Sequence, residues 1–351
     1  MRLAALILAA LQVVAPGAGG GDPFAFFSPS VVLRSGEWKS LQEGTPIASV
    51  VQADGRDVAI FSVIPVDRAV DGDRLIAWMR QIASLKQSKY VLALRRFSTP
   101  PRLEDLDTLS LDDGDLNEIR RCRPGHCGMK LSTEEIGALQ RAVAASGNDW
   151  KPPVQLAFRQ LILQRVQAYT IKGHGGLNNY TDRGSASSLG LSFSALVGRS
   201  PFLTGHVPQF AEYLTRYPSN HPSDIESFVY WSKEKLGNKA VISATHVVIT
   251  RGTAPAAPEV LVAGKQIFAT HYMDASLSVT ALLYDGSANR RYLAYLNRSD
   301  LDVLGGFWGG LVRRIVERRL KSEAPAVLKQ LNERLASGLP PAVAANEPRT
   351  P

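Results

Sequence analysis

Between Ala240 and Leu335 the chain changes period: alternation of the strand kind gives way to a long run at helical spacing, and few folds accommodate that succession. The strand half reads KAVISATHVVITR, EVLVAGKQIFATHYMDASLSVTALLYD and RRYLAYLN, rich in Val, Ile, Thr, Tyr and Phe and punctuated by Gly, Pro, Asp and Ser. That predicts three or four antiparallel strands in meander order. TRGTAPAAPE divides the first two and holds too much Pro and Ala for a tight hairpin, and a shorter bend is expected over Met273–Ser276. Along Val241–Ile249, Ile242, Ala244 and Val248 share a face with His246. Val241, Val247 and Ile249 share the other with Ser243 and Thr245. Both faces are partly apolar, so the sheet is expected to be covered on each side.

The helical half starts near Asp302 or Gly306. Leu304, Phe307, Trp308, Leu311, Val312, Ile315, Val316 and Leu320 recur at helical steps and form one apolar stripe, with Arg313, Arg314, Arg318, Arg319 and Lys321 largely outside it. Pro325 lacks a donor and clashes one turn back, which predicts a kink or restart. Val327, Leu328, Leu331 and Leu335 then resume the stripe to Gly338.

A curved antiparallel sheet ending in a long C-terminal helix, opened here by GGFWGGLVRRIVERRLK, resembles the helix-grip fold of the START and polyketide-cyclase superfamily. The resemblance implies an α+β fold in which the 241–296 strands and the 307–335 helix enclose a cavity for a hydrophobic or lipid-like ligand. Residues 45–97 suit the beginning of such a domain. PIASVVQADGRDVAIFSVIPVD gives two strands around an Asp54-Gly55 turn, Leu75, Ile76, Met79, Ile82 and Leu85 stand at helical spacing, and KYVLALRRFS returns to strand. The expected organisation is a first part at 22–100, a mainly helical insertion at 101–236, a second part at 237–338 and a disordered tail at 339–351.

Within the insertion, Asp105, Asp107, Asp112, Asp113 and Asp115 lack the register of a calcium-binding loop. Asp112 or Asp113 is instead expected to cap a short Leu116–Arg121 helix. Ser132 with Glu135 matches a capping box, Val154–Ile171 carries a helical stripe after Pro152-Pro153, and further helices are expected at Ser187–Val197, Val207–Arg216 and Ile225–Leu236, the last stopped by Gly237. GHGGLNNYTDRG is glycine-rich without the Lys and Ser or Thr of a phosphate loop. Cys122 and Cys127 are the only cysteines and flank Pro124-Gly125, which favours a disulfide in an oxidising compartment. His126 with both thiolates is the weaker three-ligand alternative, and no metal site is expected.

The beginning of the chain points the same way. Arg2, the apolar run Leu3–Val14 and small residues around Val13, Ala15 and Gly17 form a secretory signal peptide over 1–18, so the mature protein is expected to be periplasmic or secreted. The net charge of +8 is spread over arginine pairs that suit peripheral contact with an anionic membrane surface, and no dense basic run suggests nucleic acid. RRCRPGHCGMKLS, RFSTPPRLEDLDTLSLDDGDL, ESFVYWSKEKLG, ISATHVVITR and AGKQIFATHYMDASLSVTAL together resemble an uncharacterised family of exported bacterial proteins. That resemblance implies an envelope setting and assigns no catalytic residue.

No G-x-S-x-G, H-E-x-x-H, phosphate loop or dinucleotide fingerprint occurs, and no cofactor is expected. The polar candidates on or near the sheet are Tyr230, Trp231, Lys233, Glu234, His246, Lys265, His271, Tyr272 and Asp274. Tyr230, Trp231, His246, Lys265, His271, Tyr272 and Trp308 are the expected ligand-binding residues. A buried Lys265 with His271 and Tyr272 would also suit general acid and base work. Three functions fit: a carrier or sensor of an apolar ligand, an enzyme acting on one, and an envelope structural or assembly factor with no small ligand.

Overall fold

The strand half folds as its alternation predicts in a computed structural model that describes residues 22–341 apart from 54, 185, 253–256 and 306–308. Strands β1 (Ile47–Val51), β2 (Asp57–Pro65), β3 (Val91–Arg96), β4 (Glu226–Leu236), β5 (Lys239–Arg251), β6 (Val260–Ala269), β7 (Met273–Asp285) and β8 (Arg290–Leu301) form one antiparallel sheet. Its order is β1-β2-β8-β7-β6-β5-β4-β3. Helix α1 (Ser35–Gln42) precedes the sheet, and α2 (Gly72–Arg80) and α3 (Ile82–Lys86) link β2 to β3. Between β3 and β4 run α4 (Asp113–Arg121), α5 (Thr133–Ala144), α6 (Lys151–Lys172), α7 (Leu189–Gly198), α8 (Pro201–His206) and α9 (Pro208–Arg216). The chain closes with α10 (Gly309–Ala336), a helix-grip-like arrangement interrupted by a helical insertion.

Both faces of the sheet are covered, as the two-sided apolar pattern requires. Ile64, Leu293, Leu282, Val260, Val262, Val247, Ile249, Phe228 and Tyr230 point to one face and pack with α2, α3 and Leu328 and Leu335 of α10. The opposite face is buried by the insertion. Leu261, Ala263, Leu277, Val279 and Ala281 pack with α7, α8 and α9, while Trp231, Ile242, Ala244 and Phe268 pack with α4, α5 and α6.

Several boundaries differ from expectation. Ile225–Leu236 is not a helix: Phe228 and Tyr230 belong to the α10 face and Val229 and Trp231 to the insertion face, an alternation that only a strand provides. Gly237, at φ +63°, turns β4 into β5 instead of ending a helix, so β4 belongs with the sheet and not the insertion. The bend expected at Met273–Ser276 lies at Thr270–Tyr272, where Tyr272 takes a φ of +67°. Pro325 does not restart α10, because the carbonyl it frees one turn back belongs to exposed Lys321, where water can satisfy it. The Ser132–Glu135 capping box is present, and Asp112 caps α4 through its backbone only, its carboxylate being paired with Lys233. The signal-peptide segment, Asp54 and Trp308 lie outside the described residues, as does the tail from 342 onward.

The apolar stripe of α10 is also divided. Leu328 and Leu335 are buried, whereas Leu311 and Ile315 are 53% and 60% exposed. The helix is fastened at its ends. Arg313 donates to the carbonyls of Gly55 and Asp57, Arg334 to those of Leu85 and Gln87, and the Trp78 indole N–H to the Gly338 carbonyl at 2.8 Å.

Candidate ligand-binding trough

On the α10 face the apolar rows stop partway along the sheet. Strand register then sets Asn297 beside Ser278, Ser299 beside Ser276, Gly264 beside Ser278, Gln266 beside Thr245, Thr245 beside Tyr230 and Ser243 beside Ser232. Alternation turns all of these side chains the same way as Val247, Val262 and Leu293, so a diagonal polar band crosses from β8 to β4 beneath α10. Ser243, Thr245, Ser276, Ser278, Tyr295 and Asn297 are only half-buried although they lie mid-strand in interior strands. Their chain neighbours Ala244, Leu277, Ala294 and Leu296, facing the insertion, are fully buried. The middle of α10 spans this band without sealing it: Val312, Val316, Glu323 and Ala324 remain half-buried. These half-buried positions outline a candidate trough with a polar floor, beside the apolar cluster around α2 and α3. Its floor is closely built, since a Cβ on Gly264 would stand 2.5 Å from Ser278 Oγ.

A charged pair closes the β4 end. Lys86, the last residue of α3, donates to Glu234 Oε1 at 2.6 Å and to the Tyr230 hydroxyl at 3.3 Å, and Ser232 Oγ donates to the same carboxylate oxygen at 2.7 Å. Burial pushes the Glu234 carboxyl up, but the Lys86 charge and the two hydrogen bonds outweigh it and hold the group below the usual carboxylate range. For Lys86 burial opposes the charge, and Tyr230 and Glu234 overcome it, so the ammonium is held above its ordinary value. The Tyr295 phenol is raised by burial and therefore stays neutral beside this pair.

At the β8 end, Ser276 and Ser299 hydroxyls lie 2.8 Å apart, Asn297 Nδ2 donates to Ser276 Oγ at 3.2 Å, and Ser299 Oγ donates to Asn297 Oδ1 at 2.9 Å. Buried Gln266 Nε2, and Asn332 Oδ1 on α10, have no hydrogen-bond partner among the described residues. Such a wall can orient a polar group by ion pair, hydroxyl and amide. It presents a permanently charged lysine.

Of the expected ligand-binding residues, Tyr230 alone among those described lies in the trough wall. Trp231, His246 and Lys265 face the insertion. The Trp231 indole donates to the Asp105 carbonyl at 2.8 Å, and His246 Nδ1 shares a 2.8 Å hydrogen bond with the Tyr169 hydroxyl. Lys265 Nζ donates to the Leu214 carbonyl at 2.9 Å between the rings of Tyr169 and Phe193. Burial, with Lys265 and His221 adding repulsion, lowers His246 to about 3, and burial alone holds the Lys265 amine well below its ordinary value. His271 is pinned at the end of the sheet, Nδ1 donating to the Gly128 carbonyl at 2.8 Å and Nε2 lying 3.0 Å from Asp115 Oδ1. Tyr272 occupies the adjoining turn.

The acid–base set of Lys265, His271 and Tyr272 is therefore not assembled around a common opening. Strand alternation turns Lys265 of β6 toward the insertion, whereas His271 and Tyr272 lie in the bend between β6 and β7. Lys233 and Asp274 are likewise tied into the insertion, to Asp112 and to Lys130. Cys122 and Cys127 are joined across the turn at Gly125, with Cα atoms 4.4 Å apart, which leaves no thiolates to ligate with His126. The residues missed at the sequence level are Lys86, Thr245, Gln266, Ser276, Ser278, Tyr295 and Asn297. For Thr245, Ser276, Ser278 and Asn297 the one signal was the recurrence of Ser, Thr and Asn at every second position of predicted strands; Lys86, Gln266 and Tyr295 carried none.

No protein-family model matches this chain, and no curated protein does. Among solved structures, the crystal structure of TTHA0849 from Thermus thermophilus is similar over 42% of this chain and 91% of that one, with 13% identity and a TM-score of 0.24.

Proposed function

We propose that this protein binds a hydrophobic or lipid-like small molecule carrying a polar group, in the trough between the sheet and α10, as a carrier or sensor. The observation that carries the reading is the contrast in exposure between the two faces of β5, β7 and β8, half-buried along the polar band beneath α10 and buried throughout beneath the insertion. The Lys86–Glu234 pair and the Asn297–Ser276–Ser299 network supply fixed polar partners, and the cluster around α2 and α3 supplies the apolar wall. The same reading places the protein outside the cytoplasm. A disulfide supports this, and no helix among the described residues is long and apolar enough to cross a membrane.

Filling the trough tests it. Ser278→Trp and Thr245→Trp each place an indole on the floor at half-buried positions, where the fold tolerates added volume better than in a closed core. Native mass spectrometry and displacement of a fluorescent fatty acid are expected to show a ligand on the wild-type protein, and affinity lower by about tenfold or more, roughly 1.4 kcal/mol, in either variant. Absence of any bound apolar molecule and of probe binding in the wild type, or unchanged affinity in both folded variants, overturns the proposal and favours an envelope structural factor.

A further inference from the structure

We propose that the outward face of the first half of α10 docks on an anionic phospholipid surface. Leu311 and Ile315, one turn apart, are more than half exposed on the side of the helix opposite to half-buried Val312, Arg313, Val316 and Glu317. At helical spacing Arg314, Arg318 and Ser322 share that outward face, and Lys321 borders it; all three cations are exposed. The acidic residues nearby are already engaged. Glu317 turns inward to Arg313 at 3.5 Å, and Glu323 pairs with Arg319 at 2.8 Å. Arg314, Arg318 and Lys321 make no ion pair among the described residues. Two alkyl side chains thus stand among cations, with no carboxylate to compete for them.

The occupant follows from this layering. An interfacial helix places cationic groups at the headgroup level and lets its apolar residues reach past them into the acyl boundary. An acidic protein surface would meet the arginines and leave Leu311 and Ile315 against charged groups, whereas an anionic bilayer offers negative charge with apolar material directly below. The whole chain adds long-range attraction through its net charge of +8. Because α10 is fastened at both ends, by Arg313 to the β1–β2 turn and by Arg334 and the Trp78 bond to the α2–α3 side, the face is presented already ordered. This inference goes beyond ligand binding in the trough and holds or fails without it.

Vesicle flotation of the purified protein tests it, with phosphatidylcholine vesicles alone or mixed with phosphatidylglycerol. Binding is expected to the mixed vesicles only, and to weaken as salt is raised. Neutralising two cations in R314Q/R318Q is expected to lower the partition coefficient by about thirtyfold. L311D/I315D is expected to abolish flotation even at low salt. Both pairs are surface positions, so unchanged melting temperatures are expected alongside. Equal binding to both vesicle types, no binding by the wild type, or unchanged flotation of both double variants overturns the proposal. So does a solution dimer disrupted by L311D/I315D without any vesicle binding, which would assign the face to a second copy of the chain.

Discussion

Lys130→Met is expected to cost about 3–5 kcal/mol at neutral pH, among the largest effects of any single substitution in the molecule. Lys130 is 2% exposed and sits on the insertion just before α5. Its ammonium donates to Asp274 Oδ1 of β7 at 2.6 Å and lies 3.0 Å from Asp302 Oδ2 beyond β8 and 3.6 Å from Asp182 Oδ2 of the insertion. Its backbone N–H donates to the Thr270 carbonyl at 2.8 Å, so one residue ties the insertion to the end of the sheet twice. Burial works against the Lys130 charge, but Asp274, Asp302 and Asp182 overcome it and raise its pKa. Arg56 reaches Asp274 at 2.8 Å and Asp300 at 3.2 Å, and Arg183 reaches Asp302 at 3.2 Å, both from more exposed positions.

Methionine matches the length of lysine, so packing changes little while buried carboxylates lose their central cation. The pH dependence separates this from a packing defect. Burial already raises Asp182 in the native protein against the pull of Lys130, and removing that pull raises it further. A carboxyl whose folded pKa exceeds its unfolded value makes the folded state bind more protons, so stability falls as pH rises through that window. The gap between wild type and Lys130→Met in urea unfolding is therefore expected to be widest at neutral pH and to narrow toward about pH 5. A gap below about 1 kcal/mol that does not vary with pH would mean that the network does not hold the insertion in place.

The sequence made the architecture legible and the site only in part, for reasons visible in particular residues. Strand alternation from Val241 to Leu301, the Ser132–Glu135 cap and the cysteine pair are local signals, and local signals determine local structure. β4 misled because EKLG resembles a helix end, whereas tertiary pairing of Ser227 with Val248 and of Ser232 with Ser243 decides its conformation. The trough is a property of register. Ser243, Ser278 and Asn297 are ordinary residues far apart in the chain, and only the pairing of β4 through β8 sets them in one band. The residues with the strongest apparent chemistry, His246 and Lys265, are cross-strand partners on the other face, where they bury against Tyr169 and the α9 carbonyl of Leu214. Which face meets α10 follows from where the insertion packs, and no local pattern records that. The same limit applies to Leu311 and Ile315, whose spacing fits a core stripe but which lie on the side of α10 opposite to half-buried Val312 and Val316.

Lowering the pH from about 7.5 to about 5 is expected to destabilise the native protein by about 2 kcal/mol through His246 alone. The imidazole is 1% exposed, bonded through Nδ1 to the Tyr169 hydroxyl, with Nε2 unpartnered among the described residues and the Tyr217 ring 4.4 Å away between centroids. Burial holds it neutral down to about 3, and Lys265 and His221 add repulsion to any proton it would take up. In the unfolded chain the same group titrates near its ordinary value of about 6.5, so below that pH the unfolded state binds a proton that the folded state refuses. The contribution is complete above about pH 6.5 and is lost progressively toward pH 3; at pH 5 the difference of about 1.5 units corresponds to about 2 kcal/mol. His246→Asn keeps a polar group near the Nδ1 position for Tyr169 and cannot titrate, so it is expected to flatten the decline between about pH 6.5 and 5 by that amount. Urea unfolding of both proteins across this range is the measurement, and parallel curves would show that His246 gains its proton within the folded state. Because His246 acts equally in the wild type and in Lys130→Met, its effect cancels in their difference. The acid sensitivity of the insertion-facing core and the charge network at the end of the sheet are thus separable in one set of titrations.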